Sequence, residues 1–173
     1  MTVTGADRAE GSEVGGKLQP FVRSKVFTNL FAHGMELVEE TAGYLDNGGR
    51  QAAKELARDD AMTYAGVSMR LTTRLMQIAS WLLVLRAVRD GEMTEDEARD
   101  DKYRIGPAET VDRNPHELDV LPEQLVELIG ETDTLYSRIR RLDSDLFVTA
   151  MADDIEGDAK GRLAALHRAF GDN

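Results

Sequence analysis

The sequence predicts an all-α fold: an antiparallel three-helix bundle built on one long central helix, with a disordered N-terminus and a flexible C-terminal tail. Three observations carry this reading. The stretch Tyr64–Val88, YAGVSMRLTTRLMQIASWLLVLRAV, is the most apolar run in the chain and has helical periodicity. Leu121, Leu125, Leu128, Thr132, Leu135, Ile139, Leu142 and Leu146 recur at alternating spacings of four and three, a heptad pattern suited to one long helix in a left-handed bundle. No segment has the composition and alternation of a strand.

Taken in order, residues 1–22 are rich in Gly, Glu, Asp and Ser and are expected to be disordered. The bundle is expected over residues 23–147, and residues 148–173 form an acidic tail that ends in a short amphipathic helix. Ser24 is the expected N-cap of the first long helix, whose Phe27, Leu30, Phe31, Met35, Val38, Ala42 and Leu45 keep helical spacing. Asp46-Asn47-Gly48-Gly49 breaks it. The second long helix has an irregular start near 50–57, a main body over 59–90, and a stop at Gly91. At 1.5 Å per residue that body spans roughly 45–50 Å. Thr94-Glu95-Asp96-Glu97 is a capping-box pattern and predicts a short helix. A long connection follows, expected to touch the bundle through Tyr103, Ile105 and Val111. Pro122 then opens the third long helix, which ends near Phe147.

Composition excludes several classes of function. The 173 residues suit one domain with a real core. There is no cysteine, which rules out disulfides and thiolate metal sites and fits a reducing cytoplasm. A formal net charge of -11, with basic residues interspersed among acids, opposes duplex DNA as a partner. The start MTVTGADRAEGSEVGGK lacks the apolar segment of a signal peptide. The apolar run 78–88 is broken by Ser80 and Arg86 and falls short of the about 20 residues a bilayer requires, so no membrane insertion is expected.

No catalytic constellation is visible, and no cofactor is expected. His33-Gly34-Met35-Glu36 places two potential ligands on one helix, but a di-metal bundle needs paired Glu-x-x-His motifs and further glutamates. The VGGK segment lacks the frame of a phosphate loop. The serines form no nucleophile elbow.

The second helix carries two stripes. Met62, Met69, Met76 and Leu83 recur every seven residues beside Leu71, Leu75, Ile78, Leu82 and Leu85, and are expected to form the core face. Roughly opposite lie Arg70, Arg74, Gln77, Trp81, Val84 and Val88. Two readings of this second stripe stand. One makes Arg70, Arg74, Gln77 and Trp81 a docking or dimer face, since Trp and Arg are enriched at interface hot spots. The other pairs Arg70 with Asp143 or Asp145 across antiparallel helices and uses Trp81 to cap the core against the connection. In the tail, Leu163, Leu166 and Phe170 form a second candidate contact surface.

The block SMRLTTRLMQIASWLLVLRAV, with GMELVEETAGYLD upstream, resembles the alphaproteobacterial RcdA family, regulators of CtrA degradation. The likeness covers about 26–88 and continues more loosely through the third helix. It implies a cytoplasmic, non-enzymatic adaptor that dimerises and serves the ClpXP protease. It also implies a CpdR-like priming response regulator, a PopA-like cyclic-di-GMP effector and CtrA-like cargo as partners. Two other classes remain open on the residues alone: a DNA- or transcription-associated helical protein, and a bundle that holds a metal or lipid.

Overall fold

In the computed structural model, which describes residues 16–106 and 115–148, every regular element is helical. In chain order these are α1 (Leu18–Val22), α2 (Lys25–Asp46), α3 (Gly48–Glu55), α4 (Arg58–Arg89), α5 (Glu95–Ala98) and α6 (Glu123–Asp143). Short turns of 3-10 helix lie at Asp101–Tyr103 and Pro115–Glu117, and a π-turn, Ser144–Val148, continues α6.

Local chemistry sets the helix ends. Ser24 caps α2 by accepting the Phe27 amide, and its hydroxyl donates to the Phe21 carbonyl. Asn47 ends α2, but the two glycines after it begin α3. Gly49 is needed there because a Cβ would collide with Tyr64 Oη and the Tyr44 ring. At the end of α4, Gly91 adopts φ +76, the Glu92 amide reaches the Ala87 carbonyl and the Gly91 amide reaches Val88. That is a Schellman closure, and it explains why the helix stops there. The Thr94–Glu97 capping box forms in full and opens α5.

Each of the three long helices packs against the other two. α2 and α4 are antiparallel: Arg89 lies over the Phe27 ring, Arg86 over Phe31, and Gly34 against Leu82. α4 and α6, in contrast, run parallel, since Arg74 meets Asp133 and Tyr136 while Trp81 meets Asp143. Arg104 meets Asp143 beside Trp81, Gly106 lies beside Gln77 and Glu117 meets Arg70, positions successively nearer the start of α4, and α6 starts beside its first half. The expected pairing of Arg70 with Asp143 or Asp145 therefore does not form.

The heptad of α6 is core as expected: Leu121, Leu125, Leu128, Thr132, Leu135, Ile139 and Leu146 are buried, and Leu142 packs at the edge. Buried Thr132 satisfies its hydroxyl on the Leu128 carbonyl at 2.7 Å. On α2 the fully buried line is Phe27, Leu30, Gly34, Leu37, Thr41 and Tyr44, one position off the expected set beyond Leu30. Residues 18–22, inside the segment expected to be disordered, form α1 and bury Leu18 and Val22. α4 is long and apolar enough to cross a membrane by length and composition alone, but its Leu71, Leu75, Ile78, Leu82 and Leu85 face is the bundle core.

Gly34 marks a tight crossing of α2 and α4. A Cβ there would overlap Leu82 Cδ1, and Leu82 has no solvent-exposed side into which to move. Gly34→Val should therefore destabilise the fold by about 1–3 kcal/mol through overpacking. A urea unfolding midpoint equal to or above that of the wild type would contradict this crossing.

Candidate functional site

Among the described residues α4 is contacted on most of its circumference, and the strip left outward is unusual. Met62, Met69, Met76 and Leu83 are 69%, 72%, 65% and 49% exposed. This corrects the expected core assignment of that column. The misreading has a physical cause: α4 is apolar almost all round, so periodicity alone cannot say which apolar face is covered. Between them on the same face lie Ala65, Thr72, Thr73 and Ser80, all exposed. Between Asp60 and Arg86 the only charged residues of α4 are Arg70 and Arg74, and both are tied into the opposite side. The result is a charge-free strip about 30 Å long, at 1.5 Å per residue, on a protein of which 31% is charged.

The face expected to dock a partner is covered by this chain itself. Trp81 is 2% exposed, and its indole Nε1–H donates to Asp143 Oδ1 at 2.9 Å. Arg70 pairs with Glu117 at 2.5 Å. Arg74 pairs with Asp133 and lies over the Tyr136 ring, 4.8 Å from its centroid. Gln77 is half-buried beside Gly106. Arg70, Arg74, Gln77 and Trp81 thus serve intramolecular packing against the connection and α6. The sequence holds Glu117 and Asp133 in plain view, but nothing local links them to arginines 47 and 59 positions away. Leu163, Leu166 and Phe170 lie outside the described residues.

The node under this face is Asp143. Its two oxygens accept Arg104 Nε at 2.9 Å and Arg104 Nη2 at 2.7 Å, besides the Trp81 indole. Arg104 Nη2 also donates to the Asp143 carbonyl, and the guanidinium stacks 4.3 Å from the Phe147 ring centroid. Beside it, Tyr136 Oη donates to the Gly106 carbonyl at 2.7 Å. These contacts strap the connection onto α4 and α6. Ile105 packs at the core edge, whereas Tyr103 stays half-exposed under Lys102. Val111 is outside the described residues.

His33 is exposed and faces Glu127, Glu131 and Arg138 across an open cleft of about 610 Å³ between α2 and α6. Among the described residues no group of three or more His, Asp or Glu is placed to hold a metal. What the geometry offers is surface: a straight, rigid, uncharged strip on the longest helix.

The model of a family described as a protein of unknown function, DUF1465, matches residues 18–170. The fold is similar to the crystal structure of RcdA from Caulobacter crescentus CB15, at 47% sequence identity and a TM-score of 0.62, covering 75% of this chain and 98% of that one. This chain belongs to the RcdA family. A search of curated proteins returned no match. The family match extends past α6 into the tail that carries Leu163, Leu166 and Phe170, so the tail belongs to the RcdA-family region of the sequence.

Removing the node's carboxylate tests its weight. Asp143→Ala leaves the largely buried Arg104 guanidinium with only the backbone carbonyl of residue 143, and the buried Trp81 N–H without its acceptor, and should cost about 3 kcal/mol. Trp81 is the only tryptophan, so its emission should move to longer wavelength in the variant even before unfolding. Glu117→Gln, at the half-exposed Arg70 pair, should cost about 1 kcal/mol or less. Equal costs for the two variants would refute the ranking.

Proposed function

We propose that this chain is a cytoplasmic, non-enzymatic adaptor of regulated proteolysis, acting in the degradation of a CtrA-like transcription factor. The observation that carries the reading is the 47% identity to RcdA over 98% of that protein. Its partners in this reading are the ClpXP protease with a CpdR-like response regulator, and cargo that includes a PopA-like effector. An adaptor does no bond chemistry. It raises the effective concentration of a substrate at the unfoldase, so a weak degradation signal is engaged more often. That task needs contact surfaces rather than a pocket of reactive groups, and an uncharged strip on α4 is such a surface. The tail with Leu163, Leu166 and Phe170 is a second.

The adaptor is a homodimer in this reading, and the α4 strip has the symmetry a dimer requires. A two-fold axis between Thr72 and Thr73 sets Met69 against Met76 of a second copy, Met62 against Leu83, and Ala65 against Ser80. Large meets large and small meets small, as an isologous antiparallel pairing demands. The strict seven-residue spacing of the large residues matches a left-handed crossing of two helices.

Two experiments test these statements. In reconstituted proteolysis with ClpXP, the response regulator and a CtrA-like cargo from the same organism, adding this protein should speed cargo loss several-fold. Unchanged rates, with every partner shown to be active, would sink the adaptor reading. In sedimentation, the wild-type protein should be dimeric and the Met69→Glu, Met76→Glu double variant monomeric with unchanged helicity, because like charges then face each other across the axis. A folded double variant that stays dimeric would move the interface elsewhere.

A further inference from the structure

α6 keeps an outward face that α2 and α4 do not cover, and three open clefts follow one another along it. The first, of about 650 Å³, is lined by Thr134, Arg138, Arg141 and Leu142. The second, of about 610 Å³, shares Thr134 and Arg138 with the first and reaches across to His33 on α2. The third, of about 370 Å³, shares Glu127 and Glu131 with the second and reaches Glu40 on α2 and Glu123 at the start of α6. From Arg141 back to Glu123 this groove is about 27 Å long, at 1.5 Å per residue. Its middle is open, since a Cβ on Gly130 would meet nothing within 4 Å.

Charge changes sign along the groove. Its amino-terminal part carries Glu123, Glu127 and Glu131, joined by Glu40 from the antiparallel α2, and its carboxy-terminal part carries Arg138 and Arg141. All six side chains are exposed, and none forms an ion pair among the described residues. Acids at the start of a helix and bases at its end suit the helix dipole. The dipole does not account for Glu131, in mid-helix, or for Glu40 on α2.

The 25 residues after Val148 carry the opposite pattern, in the order in which a returning chain meets this groove. The chain leaves α6 beyond the arginines, and its first charged stretch is acidic: Asp153, Asp154, Glu156 and Asp158, with no base among them. The next stretch is basic: Lys160, Arg162 and Arg168, with no acid from 159 to 171. A turn over 149–152 therefore sets the acids against Arg138 and Arg141, and the bases against the glutamates. The lengths agree as well. Residues 160–170 as a helix span about 16 Å, and so does the groove from Thr134 back to Glu123. On such a helix Leu163, Leu166 and Phe170 share one side, and Gly130 leaves room beneath it. The uncharged α4 strip offers no such match of charge.

We propose that the groove on α6 is a docking site for residues 153–170 of the same chain. The tether is short, so the segment is held at high effective concentration and exposed charge pairs suffice to keep it there. The inference does not depend on the adaptor reading. Within that reading it adds a means of control: Leu163, Leu166 and Phe170 stay covered by their own chain until a partner displaces the segment.

The test uses the full chain. It has no cysteine, so Ala165→Cys provides a single site for a nitroxide spin label. The amide signals of Gly130 and Thr134 should broaden most, and those of Thr72 and Thr73 on the α4 strip least. A mixture of spin-labelled chain, invisible in the spectrum, with nitrogen-15 wild-type chain should show no broadening. Glu127→Lys together with Glu131→Lys should reduce the broadening several-fold, and adding Lys160→Glu and Arg162→Glu to that variant should restore it. Any of four results overturns the proposal. Strongest broadening at Thr72 and Thr73 would put the segment on the α4 strip. Weak, even broadening throughout would leave it undocked. Broadening in the mixture would make the tail of a second copy the occupant. Charge reversal without effect would remove the electrostatic basis.

Discussion

A carboxylate cannot sit among apolar side chains without partners, and much of this architecture follows from how Asp143 acquires them. The oxygens take two guanidinium N–H groups from Arg104 and one indole N–H from Trp81. Arg104 lies on the connection, Trp81 on α4 and Asp143 at the end of α6, so one buried ion ties three separate segments together. For Arg104 to arrive there, the chain must run back along the bundle after α4. Once it has, α6 can only begin beside the first half of α4, and the two helices lie parallel. Parallel neighbours without the strap would need another reason to order the intervening chain. The guanidinium fork, its stacking on Phe147 and the Tyr136–Gly106 bond supply that reason.

The same strap decides which side of α4 is free. With α2 on one flank, α6 on the other, and the connection over Arg70, Arg74 and Trp81, the Met62–Leu83 line is left exposed by the described residues. The helix therefore has two apolar faces, one covered and one exposed. One is filled with branched residues: Leu71, Leu75, Ile78, Leu82 and Leu85. The outward one is filled with methionine and small polar residues. Methionine is unbranched and polarizable and adapts to irregular surfaces, while branched side chains hold defined rotamers in a packed core.

This division was partly legible in the sequence. The helices themselves were: the Ser24 cap, the Gly91 stop, the Thr94–Glu97 box and the α6 heptad each carry a local signal, and each forms. The orientation of α6 was not, because it depends on an ion pair between Arg104 and Asp143, 39 residues apart, with no local trace. Trp81 stayed ambiguous in the sequence for the same reason. Tryptophan suits both an interface and a capped core, and only the partner of its N–H separates the two. The methionine column had one usable sign, the absence of any charge on its side of the helix between Asp60 and Arg86. A covered face and an exposed apolar face share that sign, so the sequence marks both as apolar and only the neighbours tell them apart. α1 escaped notice because five residues, with Leu18 and Val22 buried and Phe21 packed at the core edge, give no periodicity to read.

Charge completes the account of the α4 strip. Two copies of a chain with net charge -11 repel each other at long range, and at physiological ionic strength that repulsion fades over about 8 Å. A contact between copies must therefore be short-ranged and free of like charge at its centre. The strip satisfies both conditions, because its acids are confined to the ends of the helix, at Asp59, Asp60 and Asp90, while its two central arginines are neutralised on the far side. Those internal ion pairs act at a distance: by drawing Arg70 and Arg74 toward Glu117 and Asp133, they keep cations off the outward face. The ordering of the connection and α6 on one side of α4 is in this sense what leaves the other side uncharged.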